Sequence, residues 1–388
     1  FKQINDRFGH ASGDKVLTVV GKRLNELPDV FAVARWGGDE FALLTELPNI
    51  GMEALMHGFE DARQYAFRPI RDGNNRVEVS GSAGMSIYPN DATDPNDLMR
   101  YADIALMVAK QSGRGRVLMF DHKLNDVEKR RTQIIRDLPD AIANGEIVPY
   151  YQPIICTNKR TVRGVEALAR WTHKEFGAIN PAELFELAHM ATMASDLDNR
   201  LRDIAFEQVK PWLDSELIDY LSLNISPQDI VREDFATKFL ARLESMGICP
   251  KNICVEILES AIVSDLEGAQ ANLEQLSAAG VRIALDDYGT GFSNLRALLA
   301  LPLDNLKLDH SLVRALGTNK KVGNLLTSIM ELAKALDVRV IAEGIETRLQ
   351  STFVTSIGCD LMQGYLFSPP LPYEQMNAWL VEYRAKVA

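Results

Sequence analysis

The sequence is short of cysteine. Cys156, Cys249, Cys254 and Cys359 are the four in 388 residues, with no Cys-x-x-Cys pair and no cysteine–histidine cluster. That spacing excludes a zinc ribbon or a disulfide framework and leaves reduced thiols of a cytoplasmic protein as the expectation. No apolar run is long enough to span a bilayer, and no signal peptide opens the chain. The first residue is Phe1 rather than Met, so a fragment is expected, which leaves room upstream for sensor or membrane segments. Basic residues are outnumbered: 42 Lys and Arg against 53 Asp and Glu give a net charge of −11. This disfavours a nucleic-acid duplex or an anionic membrane as the main partner. It leaves room for an anionic small ligand bridged to the acids by metal ions. The six histidines are scattered; none is assigned catalysis, and His189 reads as a helix packing residue.

What the sequence does have is acid at strand ends. Val281–Leu285 is a short apolar run with β-branched residues, the pattern of a buried strand, and it ends in Asp286 and Asp287. Gly289 and Gly291 then allow a tight turn before a helix over Phe292–Ala300. Two adjacent carboxylates at the tip of a buried strand repel each other and are costly to desolvate, and a hard cation removes that cost. Strand patterns recur at Val148–Ile154, Arg163–Ala169, Leu221–Ile225, Ile253–Leu258, Val281–Asp286, Asn305–Leu308, Val338–Ile341 and Leu361–Leu366. Helical runs lie between them: Pro181–Met193, Asp198–Leu213, Asp234–Met246, Leu266–Ala279, Val322–Leu336 and Leu349–Ile357. Such alternation implies a parallel sheet, and this strand count suggests a (β/α)8 barrel with reactive groups at the C-terminal strand ends. Glu166, Asn224, Glu256, Glu259, Asp286, Asp287, Lys307, Asp309, Glu343, Glu346 and Gln363 all fall there. Singly, each is an ordinary rim or turn residue. Together they describe an oxygen-rich cage for two divalent cations, with Lys307 as a positive donor.

The first third reads differently. An amphipathic helix over Lys15–Leu27 precedes strands at Phe31–Arg35 and Phe41–Leu44, joined by Trp36-Gly37-Gly38-Asp39-Glu40. Glycines let a phosphate chain approach the backbone, and Asp39 and Glu40 can hold its metal. A charged helical segment over 121–144 follows, in which Leu138-Pro139 is expected to end or kink the helix. It is the candidate for passing motion between the domains.

Two resemblances follow from these motifs. FKQIND, GHASGD, RWGGDEF and YADIALMVAKQSGRGR resemble the GGDEF family, the diguanylate cyclases, over residues 1–120. This implies a mostly antiparallel α+β sheet domain akin to a polymerase palm. Asn5 and Asp14 would read guanine of GTP, Gly37, Gly38, Asp39 and Glu40 would meet phosphate, metal and ribose, and Lys2, Lys110 and Arg114 would meet phosphates. The chain departs from the pattern. The second metal-binding acid belongs to a strand before Phe1, PDVF over Pro28–Phe31 carries no Arg-x-x-Asp product site, Met107 replaces a Tyr, and Gly115 replaces an Asn.

EALARW, LNIS, VEILES, DDYGTGFSNL, LKLDHSLV, VIAEGIET and GCDLMQGYLFSPPLP resemble the EAL family, the cyclic-di-GMP phosphodiesterases, over residues 121–388. The implied fold is a modified (β/α)8 barrel with one irregular strand. The implied reaction is Mg2+- or Mn2+-dependent hydrolysis of cyclic di-GMP to linear pGpG. Glu166, Asn224, Glu256 and Asp286 would hold one ion, and Asp286, Asp287 and Glu343 the other. Lys307 would position the attacking water and Glu343 accept its proton. Asp309 and Glu346 complete the catalytic candidates, and Glu259 would brace the loop after Asp287. Gln152, Leu168, Arg170 and Gln363 would contact the dinucleotide. Tyr288 in place of a common Phe removes no chemistry. The resemblance implies a homodimer, with GTP at the first domain regulating the second. The other readings are a bifunctional cyclase–phosphodiesterase in the intact protein and a non-catalytic cyclic-di-GMP receptor.

Overall fold

The computed structural model describes residues 4, 9–47, 51–72, 75–113, 115–258, 266–289, 295–316 and 320–387. Lys2, Asn5, Arg114, Glu259 and Gly291 lie outside the described residues. The chain divides into two compact units, Phe1–Gln133 and Ile134–Ala388.

Among the described residues of the first unit, helices His10–Asn25, Met52–Ala66 and Pro95–Gln111 accompany six short strands. Strands β1 (Val30–Gly37) and β2 (Glu40–Thr45) form an antiparallel hairpin. Strands β3 (Ile70–Asp72) and β4 (Asn75–Val77) pair antiparallel, and β5 (Ala83–Met85) and β6 (Val117–Met119) pair parallel. Among the described residues these strands pair two by two. Val16, Val20 and Leu24, four apart, give the first helix one apolar stripe. It packs on Ala66, Ile70 and Val77.

Helix His122–Asn144 runs across the division and continues past Pro139. Of the two outcomes the sequence offered, an end or a kink, the proline does not end the helix. Leu138, Ala141 and Ile142, on both sides of Pro139, are buried with Trp171, Ile179, Leu184 and Leu187. Burying each large apolar side chain contributes about 1.5–3 kcal/mol. That outweighs a proline's interior penalty of about 3 kcal/mol.

The second unit is the barrel. Its strands are β7 (Ile147–Cys156), β8 (Val162–His173), β9 (Gly177–Ile179), β10 (Tyr220–Asn224), β11 (Ile253–Leu258), β12 (Arg282–Tyr288), β13 (Asn305–Leu308), β14 (Arg339–Ala342) and β15 (Leu361–Met362). From β8 through β10 to β15 each neighbour is parallel, β7 closes the ring between β15 and β8, and β9 is appended to β8. Strand β7 is antiparallel to both its neighbours, the one irregular strand expected. The link Thr157–Thr161 between β7 and β8 is five residues long, too short for the crossover a parallel pair requires.

Buried residues sort into two layers by the two-residue period of a strand. Leu221, Leu223, Val255, Ile257, Ile283, Leu285, Leu306, Leu308 and Val340 pack outward against the helices. Ile154, Tyr220, Cys254, Ala284, Ile341 and Leu361 form a separate cluster inside the ring. Gly164 belongs inside too: a Cβ there would lie 2.8 Å from the Tyr220 ring, so glycine makes room for the tyrosine. The next inward positions towards the C-terminal strand ends are Glu166, Ser222, Glu256, Asp286, Lys307 and Glu343. The apolar interior is therefore the floor, and a polar layer lies above it.

Candidate active site

Lys307 is the centre of that layer. It is 1 % exposed. Its Nζ lies 2.6 Å from Glu256 Oε2, 2.7 Å from Glu343 Oε1, 3.2 Å from Asp286 Oδ1 and 3.5 Å from Glu166 Oε1. Each acid comes from a different strand or strand end, so barrel closure assembles the group. Burial alone would strip Lys307 of its proton, but the surrounding carboxylates hold its pKa well above the usual lysine value.

Two of these carboxylates, Glu256 and Glu166, are held in turn. Ser222 Oγ donates to Glu256 Oε1 at 2.6 Å. Asn224 Nδ2 donates to Glu166 Oε1 at 2.9 Å and Gln363 Nε2 to Glu166 Oε2 at 2.6 Å. Gln363 Nε2 also donates to Gln152 Oε1 at 2.9 Å, and Gln152 Nε2 to the Ser368 carbonyl at 3.1 Å. Burial pushes Glu166 up, but Lys307 and these amide donors win and bring it below the usual carboxylate range. Burial, then the charge of Glu166, pushes Glu256 well above it. Burial, joined by Asp286 and Glu166 against the pull of Lys307, takes Glu343 up to about 8. Asp287 is also raised, by burial and by Asp286.

Strand β12 breaks its regular pairing at this point. Its register with β13 shifts between Leu285 and Tyr288, and Asp287 has φ 56°. A regular strand would send neighbouring side chains to opposite faces. The bulge and the left-handed residue bring ligand atoms of Asp286, Asp287 and Glu343 within 4.8 Å of one another. Four carboxylates thus share one ammonium group, and a fifth, Asp287, lies beside two of them. Such a donor set fits divalent cations, whose charge would offset the burial and the mutual repulsion that raise Glu256, Asp287 and Glu343.

A cleft of about 340 Å³ opens over this layer. Gln152, Leu168, Glu346 and Gln363 line it, as do His310, Arg314 and Tyr365. Arg170 is not in that lining; its Nη1 donates to the Ala169 carbonyl at 2.7 Å and its guanidinium lies over Tyr150. Asp309 is buried and caps helix His310–Arg314, accepting from Ser311 N at 2.9 Å beside His310 Nδ1. Burial raises it, but those Ser311 and His310 hydrogen bonds bring its pKa below the usual range. Glu346 donates its backbone N–H to Gln350 Oε1 at 2.9 Å. The sequence reading did not single out Ser222, His310, Arg314 or Tyr365. Ser222 had a signal: it is two residues before Asn224 and therefore on the same strand face. His310, Arg314 and Tyr365 are exposed and had none.

In the first unit, Asp39 and Glu40 sit exposed at the hairpin turn. Arg35 Nε and Nη2 donate to the Gly38 carbonyl at 2.9 and 2.7 Å, and Gly38 takes φ 52° beside Gly37. Lys110 Nζ meets Glu40 Oε1 at 2.8 Å, so a candidate phosphate-binding lysine faces a candidate metal acid. Asp14 is exposed on helix His10–Asn25.

The EAL domain family model matches residues 135–370, which hold every group around Lys307. The chain belongs to the EAL domain family. The model of the diguanylate cyclase GGDEF domain matches residues 1–116 ahead of it. The bifunctional diguanylate cyclase/cyclic di-GMP phosphodiesterase MucR of Pseudomonas aeruginosa is 32% identical over 380 residues, 97% of this chain and 55% of the relative. The cyclic di-GMP phosphodiesterase PdeR of Escherichia coli is 32% identical over 386 residues, 99% of this chain and 58% of the relative. The chain thus spans little more than half the length of these curated relatives. Among solved structures, the MucR phosphodiesterase in complex with c-di-GMP is 32% identical with TM-score 0.60, covering 63% of this chain and 99% of that one. The EAL enzyme Bd1971, bound to cAMP and cyclic-di-GMP, is 27% identical with TM-score 0.61, covering 66% and 70%. Glu166-Ala167-Leu168, the tripeptide that names the family, thus supplies one of the four carboxylates around Lys307 and one wall of the cleft.

Proposed function

We propose that the EAL unit hydrolyses one phosphodiester of cyclic di-GMP to linear pGpG with Mg2+ or Mn2+, and that GTP at the GGDEF unit raises the rate. The observation that carries the reading is the Lys307 ammonium among four carboxylates, beside the Asp286–Asp287–Glu343 cluster, under an open cleft. The names of MucR and PdeR supply the substrate class. Bound divalent ions would neutralise phosphoryl charge and lower the pKa of water. Glu166, Asn224, Glu256 and Asp286 would hold one, and Asp286, Asp287 and Glu343 the other. Lys307 orients the attacking water through a fixed ammonium. Glu343, which meets Lys307 Nζ at 2.7 Å, is the carboxylate that would receive that water's proton. Gln363 and Gln152 keep Glu166 turned to the site, and Leu168 walls the cleft.

The test is pGpG release from cyclic di-GMP in Mn2+, with and without GTP, in wild type and Asp286→Asn. Turnover in wild type and a loss of at least a hundredfold in the variant are expected. No pGpG from wild type refutes the phosphodiesterase reading; equal rates with and without GTP refute the regulatory part. The support for that part is an exposed Gly-Gly-Asp-Glu turn rigidified by Arg35 and faced by Lys110.

A further inference from the structure

Asp286 and Asp287 lie near the end of β12, and Glu343 directly follows β14. These two strands are not neighbours, because β13 runs between them. The three acids therefore gather across β13. Pairing of β12 with β13 is interrupted between Leu285 and Tyr288, so the ladder alone does not set where the Asp286–Asp287 turn stands. Just beyond β13 the chain enters the short helix His310–Arg314, and that helix touches the backbone behind both groups of acids. On one side a Cβ at Gly289, two residues after Asp287, would lie 2.5 Å from Leu312 Cδ1. On the other a Cβ at Gly344, next to Glu343, would lie 2.7 Å from His310 Cβ. The helix is thus a wedge between the turn and the loop that carry the acids.

Gln350, 8 % exposed on helix Arg348–Ser356, reaches this wedge. Its Oε1 accepts from Thr347 N at 2.8 Å, and its own N–H donates to Thr347 Oγ1 at 3.2 Å, the reciprocal box that caps a helix. Capping asks no more of it, and a glutamate would serve as well. Yet Gln350 Oε1 also accepts from Glu346 N at 2.9 Å, inside the loop that begins at Glu343. Its Nε2 donates to the Val313 carbonyl at 3.4 Å, on the buried side of helix His310–Arg314. One buried amide joins the loop after β14 to the helix after β13, and only glutamine brings the donor for the second link.

We propose that Gln350 is a positioning residue for the cation site: its amide seats helix His310–Arg314 between the Asp286–Asp287 turn and Glu343, and so sets the spacing of those acids. This rests on the reading of the three acids as cation ligands. Gln350 is not in the lining of the cleft and acts only through the elements it joins.

The experiment is Mn2+ binding, by calorimetry or electron paramagnetic resonance without substrate, on the full chain, with metal-free melting midpoints alongside. Wild type, Gln350→Glu, Thr347→Ala and Leu312→Ala are compared. Gln350→Glu keeps an acceptor for the Thr347 and Glu346 N–H groups but sets a carboxylate oxygen against the Val313 carbonyl. Its added negative charge would by itself favour a cation, so weaker binding reports displaced ligands. Loss of an outer partner of a metal ligand typically weakens affinity about 10–100-fold, and a weakening of at least about tenfold is expected here. Thr347→Ala removes the cap hydroxyl and is expected to lower the midpoint while Mn2+ affinity stays within about threefold. If Gln350→Glu does not fold, Leu312→Ala, which loosens the wedge on its Gly289 side, must show the weakening. Folded Gln350→Glu or Leu312→Ala binding Mn2+ like wild type overturns the inference while leaving the catalytic reading intact. Equal weakening in Thr347→Ala also overturns it, since capping would then account for the effect. A wild type that binds no Mn2+ overturns both.

Discussion

Replacing Lys307 with Met removes the ammonium that sits, among the described residues, between the acids of the barrel mouth, while keeping a side chain of similar length. The charge lost stands 2.6–3.5 Å from four carboxylates. Removing one partner of a buried ion pair costs about 3–5 kcal/mol, because the other partner stays buried and uncompensated. A domain of this size shifts its midpoint by about 2–4 °C per kcal/mol, so a fall of roughly 6–20 °C follows at pH 8 without divalent ions. The acids respond to the loss by binding protons, so the difference from wild type narrows at pH 5.5. Mn2+ supplies the missing positive charge and is expected to raise the variant's midpoint more than the wild type's. Hydrolysis should stay low even with Mn2+ present, since the ion does not replace the group that orients the water. The assay is thermal unfolding by circular dichroism at both pH values, with and without Mn2+, alongside pGpG release. A variant melting within about 2 °C of wild type at pH 8 without metal would show that the lysine is not what makes the acids tolerable, and the electrostatic account of the site would be wrong.

Metal-free wild type should itself lose stability as pH rises. Glu343 sits at about 8 when folded against an ordinary carboxyl value of 4.5, so between these the unfolded chain is ionised while the folded one keeps its proton. Rising pH then favours unfolding across that window, and the loss levels off above it. Melting from pH 5.5 to 8.5 should show this slope, and Mn2+ should flatten it; a flat metal-free profile would contradict the burial of Glu343. Ser222→Ala leaves Glu256 Oε1 without its buried donor, an expected loss of about 1–3 kcal/mol in urea unfolding. Mn2+ binding should also weaken by about tenfold, as for other partners of metal ligands. Gly164→Ala would place a Cβ 2.7 Å from the Tyr220 carbonyl oxygen and 2.8 Å from its ring. Overpacking of that kind costs about 1–3 kcal/mol; Tyr220→Phe in the same background leaves the ring in place and should not rescue it.

The sequence carried most of the barrel. All eight strand patterns from Val148 to Leu366 correspond to strands of the closed ring, because period-two apolar runs bounded by turns report burial directly. The helices between them agree to within a few residues at their ends. That the helix runs on past Pro139 was not legible, because local propensity says nothing of the Trp171, Ile179 and Leu184 core that holds it on both sides of the proline. Arg170 shares a strand with Glu166, but its guanidinium lies over Tyr150 rather than in the lining of the cleft.

By itself, then, the sequence determined which residues are strands and which acids stand at their ends, since both follow from neighbours within a few positions. Tertiary structure decided who meets whom. Ring closure puts Lys307 against acids from four other strands or strand ends, a juxtaposition that no spacing along the chain encodes. The bulge in β12, with Asp287 in the left-handed region, turns two consecutive carboxylates toward one point where a regular strand would part them. The pairing of Arg202 with Asp229, on the turn after Asn224, likewise joins residues 27 positions apart. Charges act through space, and only the fold sets the distances.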